Sequence, residues 1–121
     1  MGATTTTPNV LSASSINGDQ VKNHQGENLG EIKDLMIDLD SGKVAYAVLD
    51  FGGFLGVGNK LFAVPWNAFQ LCAEEKCFRI DADKEKLKNA EGFDQNNWPD
   101  MADRTWGENV HSHYGTKPYW N

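Results

Sequence analysis

The run Asp34-Leu35-Met36-Ile37-Asp38-Leu39-Asp40-Ser41-Gly42-Lys43-Val44-Ala45-Tyr46-Ala47-Val48-Leu49-Asp50-Phe51 decides how this chain folds. Leu35, Ile37 and Leu39 alternate with Asp34, Met36, Asp38 and Asp40, the period of two that marks a strand with one buried face. Asp40-Ser41-Gly42-Lys43 then turns the chain. With Ser41 and Gly42 as a two-residue loop, Leu39 faces Val44, Ile37 faces Tyr46 and Leu35 faces Val48, so one face of the hairpin is wholly apolar. A slip of one residue destroys that match. On the other face of the second strand Ala45, Ala47, Leu49 and Phe51 are apolar too. A strand of this kind is covered on both sides, as in a closed barrel with something packed outside it.

Upstream, a first strand is expected at Gln20 to Asn23, closed by the turn-rich His24-Gln25-Gly26-Glu27-Asn28, with Leu29-Gly30 leading into the next strand. Downstream, the glycine-studded loop Gly52-Gly53-Phe54-Leu55-Gly56-Val57-Gly58-Asn59 leads to a strand at Lys60 to Trp66, with Pro65 near its end where a missing N–H is tolerated. Phe69 to Cys72 and Cys77 to Asp81 read as a last hairpin around Ala73-Glu74-Glu75-Lys76, pairing Phe69 with Ile80 and Leu71 with Phe78. Five or six short strands at close spacing predict a small antiparallel barrel over residues 10–83. Asp83 is placed to cap a short helix from Lys84 to Asn89, ended by Gly92.

Both ends of the chain differ from this middle. Thr4 to Thr7 followed by Pro8 offers neither a buried face nor a helix, so residues 1–9 read as a flexible arm. Beyond Phe93, Trp98-Pro99, Trp106-Gly107, Tyr114-Gly115 and Pro118-Tyr119-Trp120 space aromatics among Gly, Pro and polar residues with no steady period. Each ring buries about 150–250 Å² when packed, too much for a solvated tail. An extended but ordered strap is expected there.

At 121 residues the chain has room for one domain. Seventeen acidic residues against 11 basic ones give a net charge of −6, and no Lys/Arg run occurs that could track a phosphate backbone. Nucleic acid is therefore excluded as a partner. Apolar stretches fall far short of the roughly 20 residues that cross a bilayer, which argues against membrane insertion. Met1 to Asn9 lacks the charged-then-apolar order of a secretory signal, so a cytoplasmic location is expected. Met1-Gly2-Ala3-Thr4-Thr5-Thr6 matches a myristoylation pattern only formally.

Motifs for chemistry are weak. The Gly52–Gly58 loop is followed by a strand, whereas a phosphate cradle needs a helix there, and Phe54, Leu55 and Val57 suit a protein partner better than an anion. Asp38, Asp40 and Gly42 do not make a calcium loop, because Lys43 and Leu49 stand where Gly and Glu are required. His111 and His113, with His24 or a cysteine, lack the repeated short ligand pairs of a zinc site, so neither metal nor cofactor is expected. Cys72 and Cys77 fall opposite each other in the last hairpin, within disulfide geometry, but a cytoplasmic setting favours the reduced pair. No nucleophile stands beside a base, and no catalytic residue is assigned.

Four phrases in order carry a family resemblance: Gly26-Glu27-Asn28-Leu29-Gly30-Glu31-Ile32; Asp38 through Tyr46; Phe51 through Lys60; and Val64-Pro65-Trp66. Together they resemble the PRC-barrel family over about Leu11 to Asp83, and the stretch from Leu87 to Trp120 is similar to the tail of stand-alone bacterial members. The resemblance implies a small PRC-type β-barrel, with a short helix and the aromatic tail added. It also implies a docking role, as in the H subunit of photosynthetic reaction centres and in a ribosome-maturation factor that binds a ribosomal protein. This chain has neither the membrane helix of the first nor the second domain of the other, so neither partner carries over.

The expectation is thus a non-catalytic binding or scaffolding module for a protein partner or for itself as a homo-oligomer. The alternative is a small-ligand or metal-responsive sensor. The partner-binding candidates are Phe54, Leu55, Val57, Trp98, Trp106, Tyr114, Tyr119 and Trp120.

Overall fold

A computed structural model of the protein describes residues 10–51, 60–72 and 77–121. The expected arm at 1–9, the glycine loop at 52–59 and the turn at 73–76 lie outside the described residues.

The central hairpin forms from β2 (Asn28–Ile37) and β3 (Val44–Phe51), paired antiparallel. Its turn corrects the expected register. The Asp38 carboxylate accepts the N–H groups of Asp40 at 2.9 Å and Ser41 at 3.3 Å, and the Asp38 N–H donates to the Lys43 carbonyl at 2.8 Å. This side-chain-built turn spans Asp38 to Lys43 and displaces the two-residue loop. Ile37 consequently pairs with Val44, Met36 with Tyr46 and Leu35 with Ala47, with shifts at Met36/Ile37 and Ile32/Asp34. Leu39, assigned above to the apolar face, stands in the turn at 91% exposure.

β1 (Gln20–Lys22) pairs antiparallel with β2, and β4 (Lys60–Pro65) with β3. β5 (Gln70–Leu71) and β6 (Cys77–Arg79) form the last hairpin, with Leu71 opposite Phe78 as expected. β1 runs parallel to β6, however, so the sheet is mixed rather than wholly antiparallel. A parallel pair needs a long crossover between its strands, and here β2 through β5 supply it.

The ladder runs β4-β3-β2-β1-β6-β5 and does not close by hydrogen bonds among the described residues. Covalent connection nonetheless forces it to curl. Edge strands β4 and β5 are joined directly through a 3-10 turn at Trp66–Ala68. The five steps from Pro65 to Gln70 reach at most about 18 Å. Six strands laid flat would set the edges about 24 Å apart. Gly30 helps the sheet bend: it takes a φ of +126°, and a Cβ there would collide with the Asp50 carbonyl on β3.

Inside the curl lies the main core, with Val21, Leu29, Ile32, Ala47, Leu49, Phe62, Val64, Phe78 and Ile80 buried. β3 is buried on both sides, as its composition implies. On the outer side Ala45, Tyr46 and Ala63 make a second apolar cluster.

Helices cover what the sheet leaves. α1 (Ala13–Ile16), unforeseen in the sequence, is capped by the Ser12 hydroxyl accepting from the Ser15 N–H and buries Ile16. α2 (Lys84–Lys88) is capped by Asp83, as expected, but ends at Asn89 and not at Gly92. Most of the correction falls on the tail. It is packed but not extended, since Arg104–His113 forms a ten-residue helix, α3. Asp103 caps it by accepting from Thr105 and Trp106, while Trp106 and Val110 line one side at a spacing of four. The fold is mostly sheet with short helices, so the expectation of an all-β barrel with one short helix is too strict.

Candidate functional site

Two surfaces concentrate apolar and aromatic side chains, one covered by the chain itself and one open.

The covered surface is the outer face of β3 and β4. Tyr46, 1% exposed, projects from β3 beneath α3 and packs edge-on to Trp106, with ring centres 5.2 Å apart. Gly107 permits this approach, because a Cβ there would lie 2.7 Å from the Tyr46 hydroxyl and 2.8 Å from Trp120. His111, fully buried, follows one turn later, with its ring 5.4 Å from those of Tyr46 and Trp120. Its Nδ1 bonds the Gly107 carbonyl at 2.7 Å, whereas Nε2 has no partner among the described residues. Burial lowers the His111 pKa, opposed in part by that hydrogen bond. Burial also drives the Tyr46 phenol up to about 12.

The terminal segment is stitched over this cluster. The Tyr119 hydroxyl donates to Asp38 at 2.7 Å, and Asn67 donates to the Lys117 carbonyl at 3.0 Å. The Tyr119 hydroxyl holds the Asp38 carboxyl below its ordinary range. Arg104 lies 4.4 Å above the Trp120 ring.

The tail aromatics named from the sequence are thus placed against their own chain. Trp98 packs on Phe93 and donates its indole N–H to the Gln95 carbonyl. Trp106 and Tyr119 cover the β3–β4 face, Trp120 packs on His111 and Tyr119, and Tyr114, 8% exposed, joins the main core. Burial raises the Tyr114 pKa. Phe54, Leu55 and Val57 fall outside the described residues. The tail histidines do not converge: His113 bonds the Lys86 carbonyl at 2.8 Å, away from the His111 cluster. Among the described residues no group of three or more His, Cys, Asp or Glu could hold a metal. The reduced pair expected at Cys72 and Cys77 is replaced by a disulfide. In-register hairpin pairing brings the two together, with Cys72 N–H donating to the Cys77 carbonyl at 3.0 Å.

The open surface is a groove of about 590 Å³ at the turn end of the central hairpin. Trp66, Phe69 and Phe78 form an aromatic floor, with ring centres 5.6–6.0 Å apart. Leu35, Ile37 and Val44 supply one wall, and Val10, Leu11 and Ile16 the other. Among the described residues its lining carries no titratable side chain. Ile37 is 47% exposed and Val10 is 90% exposed. Sequence reading missed this groove because its lining comes from five separate segments. The available signal was the aromatic density of Trp66, Phe69 and Phe78.

Among the described residues no helix is long and apolar enough to cross a membrane. The family model for the PRC-barrel domain matches residues 8–87. No curated protein matches the sequence. Among solved structures, one described as a 16S ribosomal RNA processing protein, RimM, from Pseudomonas aeruginosa is similar at 16% identity and a TM-score of 0.43. The match covers 64% of this chain and 47% of that one, so this chain spans about half of that protein's length.

Proposed function

The chain belongs to the PRC-barrel family, and on that premise we propose that it is a non-catalytic protein-binding module whose contact surface is the apolar groove at the turn end of the β2–β3 hairpin. The observation that carries this reading is the groove's lining, non-titratable among the described residues and rimmed by exposed Val10 and Ile37. Such a surface gains by burying apolar area and offers no acid, base or nucleophile for a reaction. An apolar stretch of a partner protein suits it.

The expectation of self-association rests on the doubly apolar strand at Val44 to Phe51 and on the aromatic tail. The chain's own α3 covers the outer face, so among the described residues the groove is an open place for a second copy as for any other partner.

A photo-reactive residue placed at Ile37 in the source cells tests the proposal, with the same residue at exposed Glu108 as the control. A cross-linked protein of defined mass from position 37 alone, lost when Leu11 is changed to Glu, is the expected result. A product of twice the chain's own mass identifies the partner as a second copy. Equal labelling from both positions, or none from position 37, overturns the proposal.

A further inference from the structure

The covered face suggests a switch that is independent of the groove. We propose that α3 is a proton-sensitive latch: neutral His111 holds it shut over Tyr46, and protonation of that imidazole releases it, uncovering the apolar outer face of β3 and β4.

Geometry carries the argument. His111 is fully buried between α3 and the barrel, and its Nδ1 is engaged with the Gly107 carbonyl of its own helix. In the neutral ring that nitrogen carries the proton, since a carbonyl can only accept. A second proton must therefore go to Nε2, which is buried without a partner among the described residues. The imidazolium would then be enclosed with its new N–H making no hydrogen bond to the described residues as they stand, the neighbouring Tyr46 hydroxyl being unpartnered too.

The groups packed directly on it are aromatic rings, which can attract a cation through their faces but supply no carboxylate to pair with the imidazolium. Tyr46 faces it from β3, and Tyr119 and Trp120 from the terminal segment. Nearby, the charge of Arg104 lies over Trp120, and Asp38 is already engaged by the Tyr119 hydroxyl. The two other histidines are placed differently: His113 bonds α2, and exposed His24 lies in the β1–β2 turn.

α3 is also suited to opening as a unit. A ten-residue helix is marginal in water without tertiary packing, and Gly107, Asn109 and Ser112 are poor helix formers. Loss of the His111 contact thus removes the helix along with its cover.

The sign follows from linkage. A histidine whose folded pKa is depressed stabilises the closed form fully above its ordinary value near 6.5. That stability declines as the pH falls below this value and is exhausted once the folded pKa is passed.

The test uses the whole chain over roughly pH 5 to 7.5, the window in which histidine changes charge. Nitrogen-15 shifts of the His111 ring follow its protonation. Amide exchange at 104–113, corrected for intrinsic pH dependence, gives the opening constant of α3. The expected rise is about tenfold per pH unit as the pH falls below 6.5, the slope of a single proton. His113→Gln should keep that slope and His111→Phe should abolish it. A ring that protonates while α3 stays protected overturns the latch, as does an unchanged slope in His111→Phe. Should His111→Phe not fold, the wild-type ring and exchange curves decide, because the latch requires both to move together.

Discussion

Gly107 shows how much hangs on one missing methyl group. Its position in the middle of α3 forfeits about 1 kcal/mol of helix propensity relative to alanine. Yet a Cβ there would press into both the Tyr46 hydroxyl and the Trp120 ring. Overpacking of this kind costs about 1–3 kcal/mol, so the steric loss outweighs the propensity gain. Gly107→Ala is therefore expected to lower stability by up to about 2 kcal/mol in urea denaturation, and to loosen amide protection across α3 before the sheet. The sequence showed the Trp106-Gly107 pair but not its meaning, because Gly between aromatics reads as a helix breaker until the ring that needs the space is known. Asn23 was equally silent. It is fully buried, accepts from the N–H groups of Gln25 and Glu27 and donates to the Glu27 carboxylate at 2.7 Å, holding the β1–β2 turn.

At the level of elements, local pattern and local chemistry divided the outcome. β3 and its double burial were legible from composition alone, and Leu71 opposite Phe78 followed from the spacing of apolar residues around the last turn. The β2–β3 register was not legible, because the Asp38 carboxylate builds a turn that alternation cannot reveal. α3 was hidden for a related reason: poor helix formers mask the spacing of Trp106 and Val110. The disulfide between β5 and β6 offers a direct measurement at this scale. It bridges a sequence separation of 5, and a loop that short constrains the unfolded chain by about 2 kcal/mol. Reduction with dithiothreitol is thus expected to lower unfolding stability by about that amount, read from urea curves taken with and without reductant. No change would show that Cys72 and Cys77 contribute by packing alone.

For the whole molecule, the family and the sheet-rich architecture were visible in the sequence, while the groove and the parallel seam between β1 and β6 were not. Both depend on which distant segments the curl brings together, and no local pattern encodes that. The short passage through Trp66–Ala68 acts as a tape measure for the molecule's circumference. Splicing four glycines after Ala68 would slacken it, let the two rims of the sheet drift apart, and widen the groove floored by Trp66 and Phe69. Small-angle scattering should then report a larger radius while circular dichroism keeps its strand signal, which would show that the roundness of this protein is held by a tether and not by its ladder.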